Sequence, residues 1–160
     1  MINSATRYIN FVSEMKHVNS ISQIKIDRDR EIIRLYQQAK RMVEWPTTTA
    51  KICEYVSRMP TPCYYLSFDA AYRYVSKRLK GIIPKCGKYQ QQKKALLESF
   101  YNEYLLISEH EQSQDRQKSV YLLVEIALER PAPCLGLTAK YIQEIISAHV
   151  RTIKSPFITK

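Results

Sequence analysis

The amino-acid sequence predicts an all-α protein, and three observations predict it. Apolar residues recur at i, i+3, i+4 and i+7 over most of the chain. Glycine occurs only three times, at Gly81, Gly87 and Gly136, too rarely for glycine-rich phosphate loops or a turn-rich β fold. A P-x-P-C string occurs twice, 71 residues apart, and leads each time into a helical pattern. With 45% apolar residues beside a formal charge of +10, the chain holds enough core-forming side chains to exclude intrinsic disorder. The expected architecture is an N-terminal helix and linker over 1–26, a first three-helix repeat over 27–87, a second over 88–153 and a tail over 154–160. The two tandem repeats are expected to pack into one compact body.

The elements follow in order. Residues 4–16 place Tyr8, Phe11, Val12 and Met15 on one face, with Asn3 or Ser4 as cap. Short extended pieces are expected near 21–26, 64–66 and 82–83. Residues 27–44 open on Asp27 and Asp29, suited to the positive end of a helix. They carry Ile32, Tyr36, Ala39 and Val43 on one side until Pro46 ends the helix. Thr47 to Thr49 supply the next cap, and Ile52, Cys53 and Val56 line a helix that runs to Pro60. The prolines of 60–66 bar a helix and bias the residues before them toward extended backbone. Ser67 then caps a helix through Lys80, which Gly81 closes. A long helix is expected over about 88–108, on Tyr89, Leu96, Leu97, Phe100, Tyr104 and Ile107. The polar residues 108–114 read as a loop, and 116–129 as a helix on Val120, Leu123, Val124 and Ala127. Residues 131–137 are extended, and Thr138 caps a last helix on Ile142, Ile145, Ile146 and Val150.

The repeat extends beyond its prolines. Pro60-Thr-Pro62-Cys63-Tyr-Tyr-Leu66-Ser67 aligns with Pro131-Ala-Pro133-Cys134-Leu-Gly-Leu137-Thr138. At the same offset Ala71, Val75 and Leu79 fall on Ile142, Ile146 and Val150, while Ile52 and Val56 fall on Leu123 and Ala127. Further upstream, Ile32, Ile33 and Tyr36 correspond to Leu96, Leu97 and Phe100 at an offset of 64. The segment 108–114 supplies the seven extra residues of the second copy.

This P-x-P-C-[YL]-x-L-[ST] string resembles a motif of small uncharacterised proteins of gut bacteria and their phages. There a P-A-P-R-F-Y-L-T-like string separates two helices, often twice per chain. The resemblance covers residues 27–150 and implies no established activity. Cys63 and Cys134 stand where that motif has Arg, so no basic contact carries over at those positions. The three-helix unit with a capped third helix is similar in outline to helix-turn-helix DNA-binding domains. It departs from them in the connection from Met59 to Leu66, longer than their three- or four-residue turn.

Charge is unevenly shared along the chain. Residues 1–87 hold 15 Lys and Arg against 7 Asp and Glu, while residues 88–160 hold 10 against 8. Within the first repeat, Arg73, Lys77 and Lys80 recur at helical spacing opposite Ala71, Val75 and Leu79. Arg78 flanks them, and Tyr74 is expected within reach on the same side. Arg30, Arg34, Gln37 and Arg41 form a second stripe along 27–44, and Lys85 and Lys88 follow Gly81. Such residues suit phosphate contacts, with Tyr or Gln adding hydrogen bonds to backbone or base edges. The expected function is therefore a non-enzymatic DNA-binding or regulatory protein, with double-stranded DNA as partner and the basic helix 67–80 as its reader. The second repeat is expected to be structural or to mediate self-association. The rival reading is a protein-interaction or structural component of a phage or mobile element, contacting partners through PTPCYYL and PAPCLGL. A solvated, merely solubilising stripe is the bland form of either reading.

Enzymatic constellations are missing from the sequence. His17, His110 and His149 form no H-x-x-x-H or H-E-x-x-H pattern, and Glu109-His110-Glu111 reads as solvated surface rather than a metal site. No P-loop, G-x-S-x-G or dinucleotide fingerprint occurs, so no cofactor is expected. Cys63 and Cys134 read as small buried groups where an extended segment crosses the core, and the four cysteines as reduced thiols of a cytoplasmic protein. The first residues carry no apolar stretch typical of a secretory signal. The longest apolar run, Val120 to Val124, is far below the ~20 residues of a membrane span. Tyr64 and Tyr65, adjacent on an extended segment, must face opposite sides, which leaves one as a candidate exposed stacking group.

Overall fold

The computed structural model describes residues 20–44, 47–85, 87–88, 90–114 and 118–155. The helix expected over 4–16 lies outside them, as do Pro46, Cys86 and Tyr89. Among the described residues the chain is all-α: α1 (Ser20–Met42), α2 (Thr49–Ser57), α3 (Phe68–Leu79), α4 (Gln91–Ser113), α5 (Val120–Leu128) and α6 (Ala139–Lys154).

Four helices begin on a hydroxyl cap. Thr48, Ser67, Ser119 and Thr138 each accept a hydrogen bond from the backbone N–H three residues on, at 3.2–3.3 Å. α5 opens at Val120 where the sequence predicts 116, and two further boundaries differ more. α1 starts at Ser20, so 21–26 is helical rather than extended. Asp27 and Asp29 sit inside that helix, where Asp27 accepts from Gln23 at 2.9 Å and Asp29 pairs with Arg28 at 2.8 Å. A carboxylate that suits a helix start serves equally in an i, i+4 contact within one, as Asp27 does with Gln23. α4 runs on to Ser113, so 108–113 is helix and not loop. Those residues are polar because the end of α4 faces water, with Glu109, His110, Gln112 and Ser113 exposed. The short strands expected at 64–66 and 82–83 do not form either.

Packing departs from chain order. α1 lies on α2 and α4 lies on α5, as sequence neighbours do, but each third helix crosses over. α3 packs on α4 and α5, and α6 packs on α1 and α2. Two cores result. One joins Ile32, Leu35, Ala39, Ile52, Cys53 and Val56 to Ile142 and Ile146. The other joins Leu96, Phe100, Tyr104, Leu123, Val124 and Ala127 to Ala71 and Val75.

The linkers make the crossing. Thr61 donates its N–H to Ala132 O at 2.9 Å, and Ala132 returns the bond to Thr61 O at 3.0 Å. Pro60, Pro62, Pro131 and Pro133 flank this pair at positions whose N–H would point away from the opposite linker, so they leave both bonds intact. Beyond it the side chains alternate. Tyr64 and Leu66 enter the α3–α5 core, and Tyr65 packs against the other. Tyr64 and Tyr65 do face opposite sides, but each side is a core and neither ring is an exposed stacking group.

This exchange redistributes charge. The body of α1, α2 and α6 (residues 20–59 and 139–155) holds 11 basic against 6 acidic residues. The body of α3, α4 and α5 (residues 68–130) holds 11 against 8. The surplus that the first half shows in sequence is therefore shared between two bodies in space.

Candidate nucleic-acid interface

Between Asp69 and Glu98 the chain has no carboxylate. Residues 70–97 carry eight cations: Arg73, Lys77, Arg78, Lys80, Lys85, Lys88, Lys93 and Lys94. The stretch takes in α3 and ends in the first turn of α4.

α3 buries Phe68, Ala71, Tyr74 and Val75. At 3.6 residues per turn, Arg73, Lys77 and Lys80 fall within about 60° of arc on the opposite side. All three are exposed, and none makes an ion pair among the described residues. Gly81, at φ 75°, stops the helix where no side chain is tolerated well. Its N–H bonds Arg78 O and the N–H of Ile82 bonds Lys77 O, both at 2.9 Å, closing a Schellman motif. Lys85 and Lys88 then lie exposed on the way to α4, and Lys93 and Lys94 stand exposed on its first turn.

Two expected contact residues are turned inward. Tyr74 is 6% exposed and faces α4, donating to Glu98 at 2.6 Å rather than lying on the cationic side. Arg78 pairs with the same carboxylate, and its guanidinium stacks 4.6 Å from the ring centre of Tyr101. A position 60–100° round the helix from the stripe brings both against α4, and Glu98 satisfies them there. Burial and the Glu98 carboxylate push the Tyr74 phenol up to about 12.

The α1 stripe belongs to the other body. Arg30 stands 3.6 Å from Asp27, and Arg34 donates to the buried Glu31 at 2.9 Å. Arg41 is exposed near Gln37 and Gln38. The main packing partners of α1 are α2 and α6, and those of α3 are α4 and α5. Arg30, Arg34 and Arg41 are thus carried by a different core from Arg73, Lys77 and Lys80. Lys93 and Lys94 were not among the expected contacts. The missing carboxylates between Asp69 and Glu98 are the signal that finds them.

Other chemistry is sparse among the described residues. No group of three His, Cys, Asp or Glu side chains is placed to hold a metal ion. Cys53, Cys63 and Cys134 are free thiols, and burial pushes Cys53 and Cys63 up, away from the thiolate form that attacks. No helix among the described residues is long and apolar enough to cross a membrane. Compared with known proteins, the chain matches no family model, no curated protein and no solved structure.

Proposed function

We propose that this protein binds nucleic acid, with double-stranded DNA as the first candidate, as a cytoplasmic DNA-binding or regulatory protein. One observation carries the reading: eight cations stand on a carboxylate-free stretch, and of these Arg78 alone is ion-paired among the described residues. Arg73, Lys77 and Lys80 line one side of α3, and Lys85, Lys88, Lys93 and Lys94 extend the positive surface to α4. This arrangement suits contacts to successive phosphates, which position a protein on a duplex without reading sequence. The reading treats the chain as two copies of a helix–helix–linker–helix unit that exchange third helices, the copies having diverged in charge. In the second copy Glu144 and Ala148 stand where the first has Arg73 and Lys77.

A second reading has a specific observation in its favour. Leu79, Ile82 and Ile83 are at least half exposed at the end of α3. They would suit a protein partner, as in a structural or accessory component of a phage or mobile element. Within the linkers Thr61, Tyr64, Leu66, Ala132 and Leu135 are buried, whereas Pro60, Pro62, Pro131 and Pro133 are exposed and would be the part left to a partner.

Fluorescence anisotropy with a labelled random-sequence duplex and a matching single strand, at several salt concentrations, tests the proposal. About five phosphate contacts predict a log–log salt slope of roughly −4 to −5 on duplex. Reversal of Arg73, Lys77 and Lys80 to Glu is expected to weaken low-salt binding by about a hundredfold. An affinity unmoved by that reversal would overturn the reading.

A further inference from the structure

A cleft of about 390 Å³ opens where the ends of the two linkers meet the beginnings of α1 and α4. A second, more open recess of about 460 Å³ shares Arg28, Lys93, Gly136, Leu137 and Tyr141 with it. The size is that of a site for a small organic molecule. Among the described residues neither is lined by any carboxylate, whereas Lys25, Arg28 and Lys93 all border the space.

Arg28 is the fixed point. It is largely buried, pairs with Asp29 at 2.8 Å, and lies over the Tyr141 ring at 5.5 Å with the phenol oxygen 3.4 Å away. Those contacts hold the guanidinium at the edge of the cleft. Lys25 and Lys93 are exposed and make no ion pair among the described residues. Ser67, at the start of α3, lines the cleft, and Thr138, at the start of α6, lines the adjoining recess, so each adds potential of the same sign to its own cavity. The floor is different in character, formed by Leu66, Leu96 and Leu135 from three separate elements.

We propose that this cleft binds a small amphipathic organic anion, a carboxylate or phosphate monoester with a compact apolar body. The charged head lies among Lys25, Arg28 and Lys93, and the body rests on Leu66, Leu96 and Leu135. A bare inorganic anion leaves the apolar floor wet, and a neutral hydrocarbon leaves the cations unanswered. The site shares Lys93 with the proposed nucleic-acid surface but none of Arg73, Lys77 and Lys80.

The probe is anilinonaphthalene sulfonate, an aryl sulfonate of suitable size, titrated against the full chain by fluorescence. One saturable equivalent is expected, with Lys25→Glu and Arg28→Gln each weakening it about fivefold. Lys25 is exposed, so its variant keeps the wild-type melting temperature and carries the test if Arg28→Gln fails to fold. The neutral analogue phenylnaphthylamine is expected to bind at least about tenfold more weakly. Decanoate and decyl phosphate compete in separate arms and distinguish the head group, while inorganic phosphate alone does not displace the probe. The Arg73, Lys77, Lys80 triple reversal leaves the titration unchanged. Binding of several equivalents, equal affinity for the neutral analogue, or no effect of Lys25→Glu overturns the proposal.

Discussion

Thr61 and Ala132 exchange both of their backbone hydrogen bonds, and each lies between two prolines. That single pair marks where the linkers cross, and the crossing sends each third helix to the other half of the chain. Neither core is then closed by one half alone. Ile142→Ala in one core and Val124→Ala in the other are each expected to cost about 2–4 kcal/mol. Both should lower one shared transition, with far-UV circular dichroism and tyrosine fluorescence coinciding during urea unfolding. Two separable transitions in either variant would show that the bodies fold independently and that the crossing does not couple them.

Gly136 and Gly81 offer a controlled pair. Both take positive φ, 68° and 75°, so alanine is strained at either. They differ in surroundings: a Cβ on Gly136 would stand 2.6 Å from Leu96 Cδ2 and 2.9 Å from Leu96 Cβ, whereas one on Gly81 meets nothing within 4 Å. Gly81→Ala is expected to cost about 1 kcal/mol, the backbone term alone. Gly136→Ala adds crowding of a core leucine and is expected to cost about 2–4 kcal/mol. Urea midpoints measure the difference. Equal costs would show that Leu96 moves aside freely.

The same two glycines show what is legible in a sequence. Gly81 follows a capped amphipathic run, and its role as a helix stop is written in its position. Gly136 sits in an extended segment, and only the approach of Leu96, 40 residues away, explains why it stands where the first linker has Tyr65. Periodicity tells which face of a helix is buried, and Ile52, Cys53, Val56, Ala71, Val75, Ile142 and Ile146 all lie on the expected faces. It does not tell which helix covers that face, so the exchange of α3 and α6 was not legible. Tyr74 and Arg78 were misplaced for the same reason, since their direction depends on Glu98 in a different element. The exposed Arg73, Lys77 and Lys80 needed only the spacing along α3.

The junction of α3 with α4 rests on Glu98, which accepts from Tyr74 at 2.6 Å and pairs with Arg78. The Tyr74 hydrogen bond, and then Arg78, hold the Glu98 carboxyl below its ordinary value of 4.5. A depressed carboxyl contributes stability that is present above its unfolded value and lost as pH falls through the folded one. The melting-temperature gap between wild type and Glu98→Gln is therefore expected to be open at neutral pH and to close below about pH 4. A gap that persists unchanged into acid would show that the charge of Glu98 does not matter. Arg78→Gln should lower stability while leaving the salt slope of the proposed DNA binding in place, because its guanidinium is committed to Glu98 and Tyr101.

Alkali probes the opposite sign. Burial raises the phenols of Tyr64, Tyr65, Tyr74 and Tyr104 above the ordinary value of 10, with Tyr74 pushed up to about 12. Each group ionises more easily in the unfolded chain, so its contribution to stability is complete below pH 10 and is lost as pH rises beyond it. Stability measured by urea unfolding should hold up to about pH 10 and fall steeply above it. Tyr64→Phe removes one such group and the 2.8 Å bond to Ser99, while the ring keeps its edge-on contact with Phe100. That variant is expected to be about 1 kcal/mol less stable at pH 7 and to fall less steeply above pH 10. Ultraviolet titration of the phenolate band should find a folded-state class of tyrosines that ionises only as the chain unfolds. A folded protein whose tyrosines all titrate together near 10 would contradict the burial of these four rings.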